Sequence, residues 1–130
     1  MSTPTITELD LDDFVQIKDA DCNATAEKDI FAGPCRVTAI RIANPSAAIA
    51  YVKLYNDKNP TVGTTAPAFV LEVPVMAANV AEEQPCNPPD GWLFSEGLSI
   101  ACVTTAGTAG TTSPATNPVL VTITGKRGLV

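Results

Sequence analysis

The residues of this chain that could do chemistry are four cysteines, one short acidic run and a few isolated glutamates, and their spacing limits what each can do. Asp19-Ala20-Asp21-Cys22-Asn23 copies the opening of a calcium loop, but Ala24 stands where that loop needs glycine and Ile30 where it needs a bidentate glutamate. A solvated acidic segment is the better reading. Cys22, Cys35, Cys86 and Cys102 are even in number but widely spaced, with no C-x-x-C pair, which argues against a zinc site. In a strand, Cys102 shares a face with Leu98 and Ile100, so it reads as a small buried apolar residue with no cation nearby in sequence to make it reactive. A disulfide formed late, in an oxidising medium, stays open for Cys22 and Cys86, and the sequence alone does not choose the pairing.

The other catalytic patterns fail in the same way. There is no histidine, which removes Ser-His and Cys-His catalysis and most transition-metal sites. Glu72 and Glu96 could serve a hydrolase as a carboxylate pair, but they fall in different segments. The Gly107 to Gly110 loop lacks the Gly-Lys-Ser/Thr ending of a phosphate cradle. Asn23-Ala24-Thr25 fits the glycosylation pattern without a secretory signal to give it meaning. The expectation is a protein that is not an enzyme and holds no cofactor and no metal.

With 130 residues there is room for one domain around one core. Charged residues make up 17% of the chain, below the usual figure of about 25%. The abundance of Thr, Ala, Val and Pro favours strands and turns. A net charge of −6 and a pI near 4.4 argue against binding nucleic acid, which needs clustered Lys and Arg. The first residues carry no basic-then-apolar leader, and no run approaches the roughly 20 apolar residues of a membrane span. A soluble product made in the cytoplasm, with no membrane partner, is expected.

The elements that would position any site are short strands separated by turn residues. Residues 1–26 are acidic and poorly patterned, and read as an extended N-terminal arm that orders on a partner or packs on the sheet edge. A helical turn near Leu9 to Phe14 is the alternative. Residues 27–130 read as the β-sandwich domain. From Cys35 the inward positions run Cys35 and Val37, then shift to Ile40 and Ile42, and such a change of parity marks a β-bulge or bend. Asn44-Pro45 ends that strand. Ala48, Ala50, Val52 and Leu54 share one face of the next, with Ile49, Tyr51, Lys53 and Tyr55 on the other. Phe69, Leu71, Val73 and Val75 point inward in a further strand. Residues 76–90 read as loop, because prolines at that density cannot occupy a central strand. Trp92 and Phe94 then alternate with Leu93, Leu98 to Thr104 is another strand, and Val119 to Thr124 is the last. The fold class is all-β, an antiparallel β-sandwich.

Tyr51, Tyr55, Trp92 and Phe94 are the candidate interface residues, since aromatic side chains with a polar edge often mark contact surfaces. They could also line a sugar-binding face. The plainer reading is that Trp92 and Phe94 fill the core or a subunit interface.

The order Tyr51-Val52-Lys53-Leu54-Tyr55, Pro60-Thr61-Val62-Gly63-Thr64, Pro67, an apolar strand, Phe94-Ser95-Glu96-Gly97-Leu98 and a closing strand resembles small jelly-roll-like β-sandwich virion proteins of tailed bacteriophages. The resemblance covers about residues 31–125. The Glu82 to Asp90 loop looks inserted relative to it, and the acidic arm lies outside it. It implies a head decoration or cement protein on the outer capsid surface of the virion, with the major capsid protein as partner and self-association as a homotrimer. The alternative is a carbohydrate- or receptor-binding module of a phage tail fibre.

Overall fold

Alternation of apolar and polar residues along short runs makes ribbons that are apolar on one side, and two sheets of such ribbons bury those sides against each other. The computed structural model describes residues 4–8, 14–77, 80–85 and 91–128. Its strands are β1 (Thr5–Glu8), β2 (Phe14–Cys22), β3 (Cys35–Ala43), β4 (Ala50–Asn56), β5 (Phe69–Val73), β6 (Glu82–Pro85), β7 (Trp92–Phe94), β8 (Leu98–Val103) and β9 (Val119–Arg127). The larger sheet runs β1-β2-β9-β3-β6, with β7 on the same side of β3 as β6, and the smaller runs β5-β4-β8. All pairings are antiparallel. The chain changes sheet after β3, β5, β7 and β8, and the core lies between the layers. Val15, Ile17, Ile40, Ile42, Val121 and Ile123 from one sheet meet Val52, Leu54, Leu98, Ile100 and Cys102 from the other.

The expected antiparallel sandwich is therefore the fold, and the expected bulge is present. The β3–β9 register shifts between Val37 and Ala39, and the Thr38 hydroxyl donates to the Thr124 carbonyl at 3.0 Å. Gly125 lies opposite Val37 at this bulge, and Gly91 approaches the Val37 carbonyl from the other side with φ +96°. A Cβ at either glycine would collide with β3 backbone, at 2.5 Å from the Arg36 oxygen for Gly125 and 2.4 Å from the Val37 oxygen for Gly91.

Other parts of the chain lie differently from the pattern read in the sequence. The first 26 residues include a strand of the larger sheet, β2, whose Val15, Ile17 and Cys22 belong to the core, so the sandwich begins well before residue 27. The helical turn considered near Leu9 to Phe14 falls mostly outside the described residues. Glu82–Pro85, read as loop, is a short strand against β3; proline is tolerated there because β6 is at the sheet edge. Val75 is 52% exposed instead of inward, since β5 stops at Val73.

Two connections, residues 57–68 and 104–118, close over the outer face of the smaller sheet. The methyl of Thr111 lies only 2.6 Å from where a Cβ on Gly63 would sit, so the two loops touch. On the free edge of β8 the segment 23–30 adds further backbone bonds, with Glu27 and Ile100 exchanging both at 2.9 and 3.0 Å and the Ile30 amide donating to Leu98 at 2.8 Å. At the exit of β3 the buried Asn44 side chain donates to the carbonyls of Ala48 and Val73, both at 3.0 Å, and accepts from the Ser46 amide and hydroxyl. It ties the larger sheet to the end of β5.

Candidate functional site

The four aromatic candidates do not form one surface. Phe94 is buried at the core end of β7, and Phe69 meets it edge-on with ring centroids 5.9 Å apart. Trp92 is half-buried, and one face of its indole stacks on Phe69 at 4.1 Å. Phe94 thus fills the core, the plainer of the two readings given for it. Tyr55 is fully buried under the loops that cover the smaller sheet, and its hydroxyl has no hydrogen-bond partner among the described residues. Tyr51, on the same side of β4, is half-buried. Neither Tyr55 nor Phe94 offers area to a neighbouring molecule in this fold.

Lys53 shares that covered space. It is 0% exposed, and its ammonium donates to the Gly107 carbonyl at 2.6 Å, with no ion pair to a carboxylate among the described residues. Desolvation holds its pKa below the ordinary 10.5 and pushes the Tyr55 phenol up. A lysine buried on one hydrogen bond opposes folding, so Lys53→Met should raise stability at neutral pH by about 1 kcal/mol. Gly107 is exposed, and water can replace the lost donor. Between the depressed folded pKa and 10.5 the unfolded chain binds a proton that the folded chain does not, so this residue's penalty fades as pH rises through that window. Urea titrations of wild type and Lys53→Met should converge toward pH 10.5; a gap that stays constant across that window would contradict the assignment.

A second buried polar group sits where β2 meets β8. Asp19 points inward, with one oxygen accepting the Asp21 amide at 3.1 Å and the other buried without a hydrogen-bond partner among the described residues. Burial raises its pKa, partly offset by the Asp21 amide, and burial likewise raises that of Glu27. The neighbouring Cys102 thiol, burial and the nearby carboxylates push the Cys22 thiol well above its ordinary value. The run that copies a calcium loop is thus strand, with Asp19 turned into the interior. Among the described residues no three His, Cys, Asp or Glu side chains are grouped to hold a metal ion. Glu72 pairs with Tyr51 at one end of β4, and the Glu96 amide bonds Asn56 at the other. Roughly 16 Å of strand separates the two ends, so these carboxylates do not form a pair.

The surface best suited to contact is the outer face of the larger sheet, which no single segment of the sequence reveals. Strand register places Phe14, Lys126, Arg36 and Leu93 in one row across β2, β9, β3 and β7. A second row runs Thr5, Lys18, Thr122, Arg41 and Glu83, with Gln16, Thr124 and Ala39 between the two. Lys18, Arg36, Arg41 and Lys126 all point away from the core, and Arg41 pairs with Glu83 at 3.1 Å between exposed groups. On a chain of net charge −6, four cations on one sheet face polarise the molecule. Leu93 adds an exposed apolar side chain in a cationic row. Compared with models of protein families, with curated proteins and with solved structures, the chain matches none.

Proposed function

We propose that this chain is a phage virion structural protein, a decoration or cement protein that lies on the outer surface of the head and self-associates there, as a homotrimer. The observation that carries the reading is the cationic outer face of the larger sheet, where Lys18, Arg36, Arg41 and Lys126 alternate with Thr and apolar positions. A flat, mixed surface of this kind suits another protein surface of opposite charge better than a small ligand. The major capsid protein is the partner proposed, presenting acidic groups to that face. The sandwich fold and the ordered set of turn residues from Tyr51 to Leu98 add the resemblance to phage virion proteins. Repeated around a lattice, many modest contacts of this kind stiffen a shell through multivalency, without a reacting group.

Reversing charge on this face should release the protein. Lys18→Glu with Lys126→Glu should weaken binding to undecorated heads by about tenfold or more, with wild-type binding falling as salt rises. Surface changes of this kind leave folding within about 0.5 kcal/mol. Co-sedimentation with purified heads reads the effect, and unchanged binding by the double variant would remove this face from the interface. A Trp92-dependent signal on a glycan array would favour the tail-fibre module instead.

A further inference from the structure

We propose that Cys22 and Cys102 form a disulfide that staples the two sheets when the chain folds in the presence of a small-molecule disulfide such as oxidised glutathione. The inference is independent of the function proposed above. Cys22 ends β2 in the larger sheet and Cys102 lies in β8 of the smaller, and both side chains are buried in the core between them. The Cys102 amide donates to the carbonyl of Asn23, the residue after Cys22, at 2.8 Å. That bond sets Cys102 beside the residue that follows Cys22, so the two backbones are neighbours, as a disulfide with its Cα separation of roughly 4.4–6.8 Å requires. The register irregularity between Asp19 and Cys22 falls at this end of β2, where the Cys102 thiol neighbours that of Cys22.

The two other pairings within the described residues both involve Cys35 and are excluded by position, since Cys102 lies at the Cys22 end of the sandwich. Along β9, Cys22 lies opposite Val119 and Cys35 opposite Arg127, at the two ends of the strand and about 26 Å apart. Cys86 lies outside the described residues. Burial raises the Cys35 thiol to about 12, so it is a weak nucleophile in the folded chain. The Cys22 thiol is also held protonated in the finished fold, by its thiol neighbour, by burial and by Asp19 and Glu27. Exchange therefore occurs during folding or transient opening. One cysteine thiolate attacks a sulfur of the oxidised glutathione, forming a mixed disulfide and releasing one glutathione. The second cysteine then attacks the protein sulfur and releases the other. The chain is oxidised by two electrons, the glutathione disulfide is reduced, and both thiol protons end on the released glutathione. The bond closes a long loop, for which a cross-link restricts the unfolded chain most.

The test is to refold the full chain from denaturant with oxidised glutathione in excess and to map disulfides by mass spectrometry after proteolysis without reduction. The expected result is a single main cross-link joining the peptides that hold Cys22 and Cys102. It should be reversed by reductant and carry a rise in melting temperature of about 10 °C over the reduced protein. Cys35→Ser with Cys86→Ser retains only the proposed pair and should give the same link. The proposal is overturned if wild type refolds with Cys22 and Cys102 still open to alkylation, if either is joined to another cysteine, or if the link leaves the melting temperature unchanged.

Discussion

Replacing Gly125 with valine should lower the stability of the sandwich by about 3 kcal/mol or more, although valine is the stronger strand former. Gly125 lies in β9 at an inward position, opposite Val15 on one side and Val37 at the bulge on the other. A Cβ there would stand 2.5 Å from the Arg36 carbonyl oxygen and 3.0 and 3.2 Å from two atoms of the Phe31 ring. Phe31 is fully buried, so the ring has no free space to enter, and the carbonyl belongs to a strand held by β9 and β7. Strand propensity spans only about 1 kcal/mol, and overpacking against backbone exceeds it. Urea denaturation monitored by tryptophan fluorescence reads the loss. Thr124→Val, one residue earlier and facing outward, is the control and should stay within about 0.5 kcal/mol. In a Phe31→Leu background the valine should do less harm, since part of the clash is with the ring, but the carbonyl contact should remain. A valine variant as stable as wild type would mean that β9 passes β3 at a greater distance than described.

That glycine also marks how much of the fold could be read from the sequence. The bulge was legible because the inward residues of one short segment change parity, from Cys35 and Val37 to Ile40 and Ile42. Cys102 was legible because Leu98 and Ile100 share its face. The strand β2 was obscured because its third inward position is Asp19, and a buried carboxylate looks like a solvated one in sequence. For β6 the signal was absent, since Glu82 to Pro85 pairs at an edge and shows no apolar alternation. Lys53 and Tyr55 alternate as an exposed face should, and only the approach of residues 57–68 and 104–118 buries them. The candidate contact face depends on the order β2-β9-β3, which brings together segments from the start, end and middle of the chain. No local pattern carries the rows Lys18 with Arg41 and Lys126 with Arg36, and the aromatic residues that did stand out locally are partly core.

Asn44→Ala should cost about 3 kcal/mol, nearly as much as the glycine change, although it removes only a small polar side chain. The amide nitrogen of Asn44 serves the Ala48 and Val73 carbonyls and its oxygen serves the amide and hydroxyl of Ser46, so its bonding capacity is almost fully used inside the protein. Alanine leaves the Val73 carbonyl and the Ser46 amide, both on buried residues, without these partners, while the Ala48 carbonyl keeps the Ser46 hydroxyl at 3.1 Å. Ser46→Ala, which removes one hydroxyl and leaves the carbonyls satisfied, should cost about 1 kcal/mol. Asn44→Asp separates bonding from packing, because it preserves shape but replaces the donating nitrogen with an acceptor facing two carbonyls. Its carboxyl should have a raised folded-state pKa, so that the folded chain binds a proton more tightly than the unfolded one. Stability of this variant should then fall as pH rises through the carboxylate range, while the alanine variant tracks wild type at a constant offset. Parallel pH dependence for the aspartate and alanine variants would show that Asn44 acts by filling space, and that the link between β3 and the end of β5 does not depend on its hydrogen bonds.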